Sequence, residues 1–210
     1  VNSVNGKLES MAAVFPLVKK YGGVVIALTL DEAGIPATAA ERVAIAHRIL
    51  DTAAAYGIAQ NAVVFDTLAM TVSADPHAAK ETLSALRQIR RDMGCHTSLG
   101  VSNVSFGLPR RELLNESFFT QALQAGLDGS IINPLSEPLM GAFKSYRALA
   151  GLDDQCQDYM ETYQNTTAPV ASAPAPSAAP KAADTGDMTL CQMVCKGLKE
   201  KSAARCLKLV

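Results

Sequence analysis

The sequence contains no run of about 18 uninterrupted apolar residues, the minimum for a helix that crosses a bilayer. Its start, Val1-Asn2-Ser3, has neither the basic nor the apolar stretch of a secretory leader. Membrane insertion and export are therefore not expected. An excess of one charge is also missing: 19 basic and 20 acidic residues, interspersed, leave a formal charge of −1. No face for a polyanion is advertised, so nucleic acid is not an expected partner. Cysteine is scarce and odd in number. Cys95, Cys156, Cys191, Cys195 and Cys206 show no metal-finger spacing, which suits reduced thiols and a cytoplasmic location better than a disulfide framework. The three histidines, His47, His77 and His96, form no pair at metal-ligand spacing, so no zinc site is expected.

What is present is apolar residue in quantity, 49% of the chain, ample for a packed core. Up to about Gly151, short β-branched runs alternate with stretches of helical period, the pattern of successive βα units. The five strand candidates are Val1 to Asn5, Gly23 to Leu30, Ala62 to Asp66, Thr97 to Asn103 and Ser130 to Asn133. Between them, Thr38-Ala-Ala-Glu41 has the form of a capping box. Val43, Ala46, Ile49 or Leu50, and Ala53 recur as one buried helix face, as do Leu83, Leu86, Ile89 and Met93. Helices are expected to stop at Gly57, Gly94, Gly126 and Gly151, where glycine takes the left-handed conformation without a Cβ penalty.

Strands alternating with helices imply parallel pairing, since a parallel neighbour needs a crossover long enough to hold a helix. Periodicity leaves two architectures open, a (βα)₈ barrel and an open doubly wound sheet. Five units are too few for a complete barrel, which usually takes about 250 residues. A valine start and a stop inside the helical pattern Leu207-Lys208-Leu209-Val210 suit a piece of a longer protein. From about Thr166 to Asp187 the composition falls to alanine, proline and serine, an interdomain tether expected to be extended and disordered. Residues 188–210 read as an amphipathic helix and the start of another, with Leu190, Met193, Val194, Leu198, Cys206 and Leu207 on one side.

In a parallel α/β fold the chemistry sits where strands end. The residues expected there are Asn2 and Asn5, Asp31 and Glu32, Asp66, Ser102 and Asn103, and Asn133. Asp66, directly after Val63-Val64-Phe65, is either a turn or capping aspartate or a ligand anchor. As an anchor, an ionised carboxylate accepts two parallel N–H bonds from an amino-pyrimidinone edge. Asn103 lies in Leu99-Gly-Val-Ser-Asn-Val-Ser-Phe-Gly-Leu-Pro-Arg-Arg111, a tight strand-to-helix connection in which Arg110 or Arg111 begins the next helix. A capping role for Asn103 and a functional one stand level on these grounds.

The segments Val101 to Pro109, Phe65 to Ser73 and Val1 to Asn5, with Asp31 to Pro36, Ala125 to Asp128 and Ile131 to Pro134, resemble the pterin-binding methyltransferase family. Within it the likeness is to the folate module of cobalamin-dependent methionine synthases. The resemblance implies the C-terminal part of a pterin-binding (βα)₈ TIM barrel, strands four to eight, over residues 1–151. It implies a helical tail over 152–165, the tether over 166–187, and the start of a corrinoid-binding helical cap over 188–210. Asn2 and Asp66 then match positions that hold the pterin ring. Asn103 matches the asparagine placed near N5 of the folate, the catalytic candidate, and Arg111 flanks the same pocket. The implied substrate is 5-methyltetrahydrofolate and the implied methyl acceptor is cobalamin, carried on a cobalamin-binding domain of the same protein. The absence of the first three strands and of the corrinoid-binding fold implies a fragment inactive alone. A stand-alone methyltetrahydrofolate:corrinoid iron–sulfur protein methyltransferase and a non-catalytic pterin-binding fragment are the rival expectations.

Overall fold

The structure, a computed structural model, describes residues 1–165. The expected tether and the helix after it lie outside the described residues. The strands are β1 (Asn2–Asn5), β2 (Val25–Leu28), β3 (Val63–Asp66), β4 (His96–Gly100) and β5 (Gly129–Ile131). The helices are α1 (Leu8–Tyr21), α2 (Ala39–Ala55), α3 (Ala78–Arg91), α4 (Arg111–Ala125), α5 (Glu137–Leu149) and the short α6 (Gln157–Tyr163). Among the described residues no helix is long and apolar enough to cross a membrane.

All four strand pairings are parallel, and the spatial order is β1-β2-β3-β4-β5. That order separates the two architectures. A doubly wound sheet reverses its strand order at a switch point, whereas the wall of a (βα)₈ barrel runs in sequence order. The chain forms part of such a wall.

Strand residues alternate between two environments. Val4, Val25, Ala27, Val63 and Phe65 are buried, and they join Met11, Phe15 and Val18 of α1 and Ile45, Ala46, Ile49 and Ala53 of α2 in one apolar cluster. Leu99 joins Leu86 of α3, Phe118, Phe119 and Ala122 of α4, and Leu139 and Ala142 of α5 in a second. The alternate residues, Asn5, Ile26, Leu28, Val64, Asp66 and Ser98, are half-buried on the opposite face, which a closed barrel would turn inward. The helices thus dress one face of the sheet and leave the other to the site.

Thr38 caps α2 as its sequence implies. Its Oγ accepts from the Glu41 amide at 3.3 Å, and the Glu41 carboxylate accepts from the Thr38 amide at 3.3 Å. Thr38→Ala removes the reciprocal pair and is expected to lower stability by about 1 kcal/mol, read as a shift in denaturant midpoint at constant slope. The Gly126 stop is required twice over. Its φ is 106°, and a Cβ there would lie 2.8 Å from Cγ of Arg90.

The strands are shorter than expected: β2 spans only Val25–Leu28, β5 ends at Ile131, and the change at β4 matters most. β4 ends at Gly100, and Val101–Ser105 winds into a 3₁₀ turn, with the Phe106 amide donating to the Asn103 carbonyl at 3.2 Å. The valines at 101 and 104 gave the segment the look of a strand, but both are buried by the turn.

Candidate functional site

The strand register lines up Asn5, Leu28, Asp66, Ser98 and Gly129 in one row, which is the carboxyl end of β1, β2 and β3, the middle of β4 and the start of β5. All five are half-buried on the face turned away from the helices. Asp66 is the only carboxylate in the row. Its Oδ1 accepts from the Leu68 amide at 2.8 Å, so the turn reading of this residue is correct as far as it goes. That bond occupies one oxygen and leaves Oδ2 for another donor. Burial pushes the carboxyl above the ordinary carboxylate range, and the Leu68 amide works against that shift.

The backbone after Asp66 is shaped for this contact. Leu68 sits at φ 61°, a left-handed conformation that a branched side chain adopts at a cost. Beneath it lies Arg42 of α2, 2% exposed, whose Nη1 donates to the carbonyls of Thr67 at 2.8 Å and Leu68 at 3.1 Å. Sequence reasoning missed Arg42. The readable signal was its position: residues 42, 45, 46, 49 and 53 follow the i, i+3, i+4, i+7, i+11 stripe of the buried face, so a cation stood among core positions.

Two loops meet here. Thr71 Oγ and Ser73 Oγ donate to the Phe106 carbonyl at 2.7 and 3.1 Å, and the Val72 amide donates to the Val104 carbonyl at 3.0 Å. The loop after β3 is thereby stitched to the turn after β4 that carries Asn103. The Asn103 side chain is exposed and hydrogen-bonds to none of the described residues. Its Nδ2 would lie 3.3 Å from a Cβ on Gly100, so the glycine at the end of β4 leaves room for the amide to lie over the strand.

Arg111, the first residue of α4, folds back on the same turn. Its Nη2 donates to the Ser102 carbonyl at 2.7 Å and its Nε to Ser105 Oγ at 3.0 Å. Ser105 in turn donates to Oδ1 of the buried Asn115 at 2.7 Å. The guanidinium also lies 5.9 Å from the centre of the Phe106 ring. These contacts make Arg111 a brace for the Asn103 turn.

Asn2 is placed differently from expectation. It opens β1 instead of following it, pairing with Ile26, and is exposed two rows below Asp66. The run Val1 to Asn5 is too short for its direction of pairing to be read without a neighbour. Asn5 occupies the carboxyl end, where Oδ1 accepts from the Lys7 amide at 3.0 Å to turn the chain into α1. Gly6 follows because a Cβ there would meet Cγ2 of Ile45 at 2.8 Å and the Leu30 carbonyl at 3.0 Å.

The remaining polar candidates serve turns and surface pairs. Asp31 accepts from the Ala33 amide at 3.0 Å and pairs with Arg48 at 3.1 Å, while Glu32 accepts from the Leu8 amide at 3.3 Å. Such exposed pairs contribute little to stability. Asn133 Oδ1 accepts from the Leu135 amide at 3.0 Å. Among the described residues no three His, Cys, Asp or Glu side chains are grouped to hold a metal ion. A cavity of about 840 Å³ between α4, α5 and α6 lies on the helical side and is not lined by Asp66 or Asn103.

Comparison with known proteins adds the following. The family described as pterin binding enzyme matches residues 1–133. A methylcorrinoid:tetrahydrofolate methyltransferase of Eubacterium limosum is 32% identical over 169 residues, covering 78% of this chain and 62% of that protein. Methionine synthases of Mycobacterium tuberculosis and Mycobacterium leprae are 35% and 33% identical over 146 residues, covering 63% of this chain and 12% of each. The chain thus spans less than two thirds of the first relative's length and about an eighth of the other two.

Proposed function

The chain belongs to the pterin-binding enzyme family, and on that premise we propose that it is the pterin-holding wall of a methyltransferase that moves a methyl group between N5 of tetrahydrofolate and a corrinoid. The observation that carries this reading is Asp66: a half-buried carboxylate at the end of a barrel strand, with one oxygen held by its own turn and the other unengaged among the described residues. Such a group accepts from the 2-amino and N3 hydrogens of a pterin in parallel.

Asn2 is proposed as a second contact to the ring. The stagger of a (βα)₈ barrel is about one residue per strand, equal in size to the two-residue offset between Asn2 and Asp66 across two strand boundaries. Asn103 is proposed as the donor to N5. When the N5–CH₃ bond breaks, its electron pair stays on N5 and a proton must arrive there. An amide N–H aimed at N5 stabilises the growing charge more in the transition state than in the substrate, and solvent supplies the proton. Arg111 holds the turn that aims it. The corrinoid accepts or gives the methyl group; it would be held on another module, joined through the alanine- and proline-rich residues 166–187, which raise the effective concentration of the two partners.

The finer reading is the folate module of a cobalamin-dependent methionine synthase, passing methyl groups toward homocysteine. The wider coverage of the Eubacterium limosum relative favours a second: a stand-alone methyltransferase working from a methylated corrinoid protein to tetrahydrofolate. One site serves both directions by microscopic reversibility. The test is calorimetric titration of 5-methyltetrahydrofolate into the protein with all eight βα units present. Binding is expected, and its absence would mean that the fold has outlived the activity. Homocysteine-dependent methionine formation by the full-length protein then separates the first direction from the second.

A further inference from the structure

We propose that Arg42 is a positioning residue for pterin recognition, acting on Asp66 through the backbone of Thr67 and Leu68; this rests on the reading of Asp66 as the pterin anchor. Arg42 stands in the first turns of α2 and is 2% exposed. Burying a guanidinium is costly unless its donors are satisfied. Among the described residues no carboxylate lies within ion-pair distance of it. Its donors go instead to Pro36 O at 2.9 Å from Nε, and from Nη1 to Thr67 O at 2.8 Å, Leu68 O at 3.1 Å and Thr82 Oγ at 3.0 Å. A cation clamped on three carbonyls fixes backbone, and the backbone it fixes is the two residues that follow Asp66.

The geometry connects the clamp to the anchor in one further step. With the Leu68 carbonyl drawn down toward Arg42 and Thr82, and φ held at 61°, the Leu68 amide points up at Asp66 Oδ1. That bond sets the rotation of the carboxyl and so the direction of Oδ2. Thr82 extends the clamp to α3, its hydroxyl placed against both the Leu68 and Ala78 carbonyls at 3.2 and 2.9 Å. The charged groups that face the guanidinium are Glu81 and Asp75, which favour its charge without pairing with it. Asp66 takes its hydrogen bond from the Leu68 amide and none from Arg42, so the link between the two side chains runs through the backbone of Thr67 and Leu68. A bare arginine brace would suit any loop; a brace that bonds both carbonyls flanking a strained residue suits one whose amide must be aimed.

The test is a double-mutant cycle in the protein carrying the complete barrel, read as the dissociation constant for 5-methyltetrahydrofolate. Arg42→Met keeps side-chain length and removes every donor; it is expected to weaken binding about tenfold in the presence of Asp66 and by less than about twofold in an Asp66→Asn background. Arg42→Lys, which retains a cation near the two carbonyls, is expected to recover most of the loss. Equal losses in both backgrounds would make Arg42 a purely structural residue and overturn the proposal, as would unchanged binding in Arg42→Met. If Asp66→Asn alone binds as tightly as the unmodified protein, the anchor reading itself fails and the proposal falls with it, a distinct result. Should Arg42→Met not fold, hydrogen exchange at the Leu68 amide in Arg42→Gln, whose shorter side chain gives up the bonds to the Thr67 and Leu68 carbonyls, decides: faster exchange there than at neighbouring α2 amides supports the clamp, and unchanged exchange overturns it.

Discussion

Asp66→Asn is expected to weaken 5-methyltetrahydrofolate binding by about 100-fold or more while leaving the protein at least as stable at neutral pH. The binding loss follows from donor and acceptor counts. The carboxylate offers acceptors to two pterin N–H groups, each charge-assisted bond worth about 1.5–3 kcal/mol, whereas an amide presents an NH₂ to one of those hydrogens. The stability result follows from the direction of the Asp66 shift. Burial raises its folded-state pKa above the unfolded value. Between those two values the folded state holds more protons, so stability falls as pH rises through that window and stays lowered above it. The ionised carboxyl is therefore a destabilising feature at neutral pH, and the amide, which keeps Oδ as an acceptor for Leu68, removes it. The advantage of the variant should vanish below the ordinary carboxylate range. Calorimetric titration and thermal melts at two pH values check both halves. Tight binding by Asp66→Asn would remove the anchor; a loss of binding accompanied by a collapse in stability would reassign Asp66 to the turn alone. In the unmodified protein, affinity should decline as pH drops through the raised value, because the protonated carboxyl loses an acceptor.

The second large effect belongs to Asn103. Asn103→Ala is expected to slow methyl transfer by about 10²–10³, the usual loss on removing one donor aimed at developing charge. Binding of methyltetrahydrofolate should weaken by no more than about fivefold, since a single neutral hydrogen bond in the ground state is worth about 1 kcal/mol. Single-turnover transfer to free corrinoid, compared with calorimetric affinity, separates the two quantities. An equal loss in both would make Asn103 a binding residue only. The exposed amide, with room made for it by Gly100 and its turn held by Arg111, is why the effect is assigned to this side chain and not to the neighbouring serines. The Ser105 hydroxyl is already committed to Asn115.

Much of this was readable from local pattern. The five strands, the capping box at Thr38 and Glu41, and the glycine stops at Gly57, Gly94, Gly126 and Gly151 all depend on residues within a few positions of one another, and all stand in the structure. The position of Asp66 at a strand end was legible for the same reason, whereas Asn103, expected as the last residue of its strand, sits in the turn after it. Of the two arginines expected to begin α4, Arg110 and Arg111, the helix starts at Arg111, whose commitment to Ser102 and Ser105 depends on how the turn winds.

Other features depended on partners far along the chain. Strand order decided barrel wall over doubly wound sheet, and order is a property of pairing between strands, invisible to the periodicity within any one. Asn2 moved from the end of β1 to its beginning because its level is set by register against Ile26, not by its place in Val1-Asn2-Ser3. Arg42 went unremarked in the sequence, because its role arises only where α2, α3 and the loop after β3 close over it. Local sequence thus determined which elements form and which side chains end the strands, since helix caps, turns and alternation are short-range. Tertiary structure alone decided what those side chains are held by, because burial, register and the aim of a backbone amide arise only when distant segments meet.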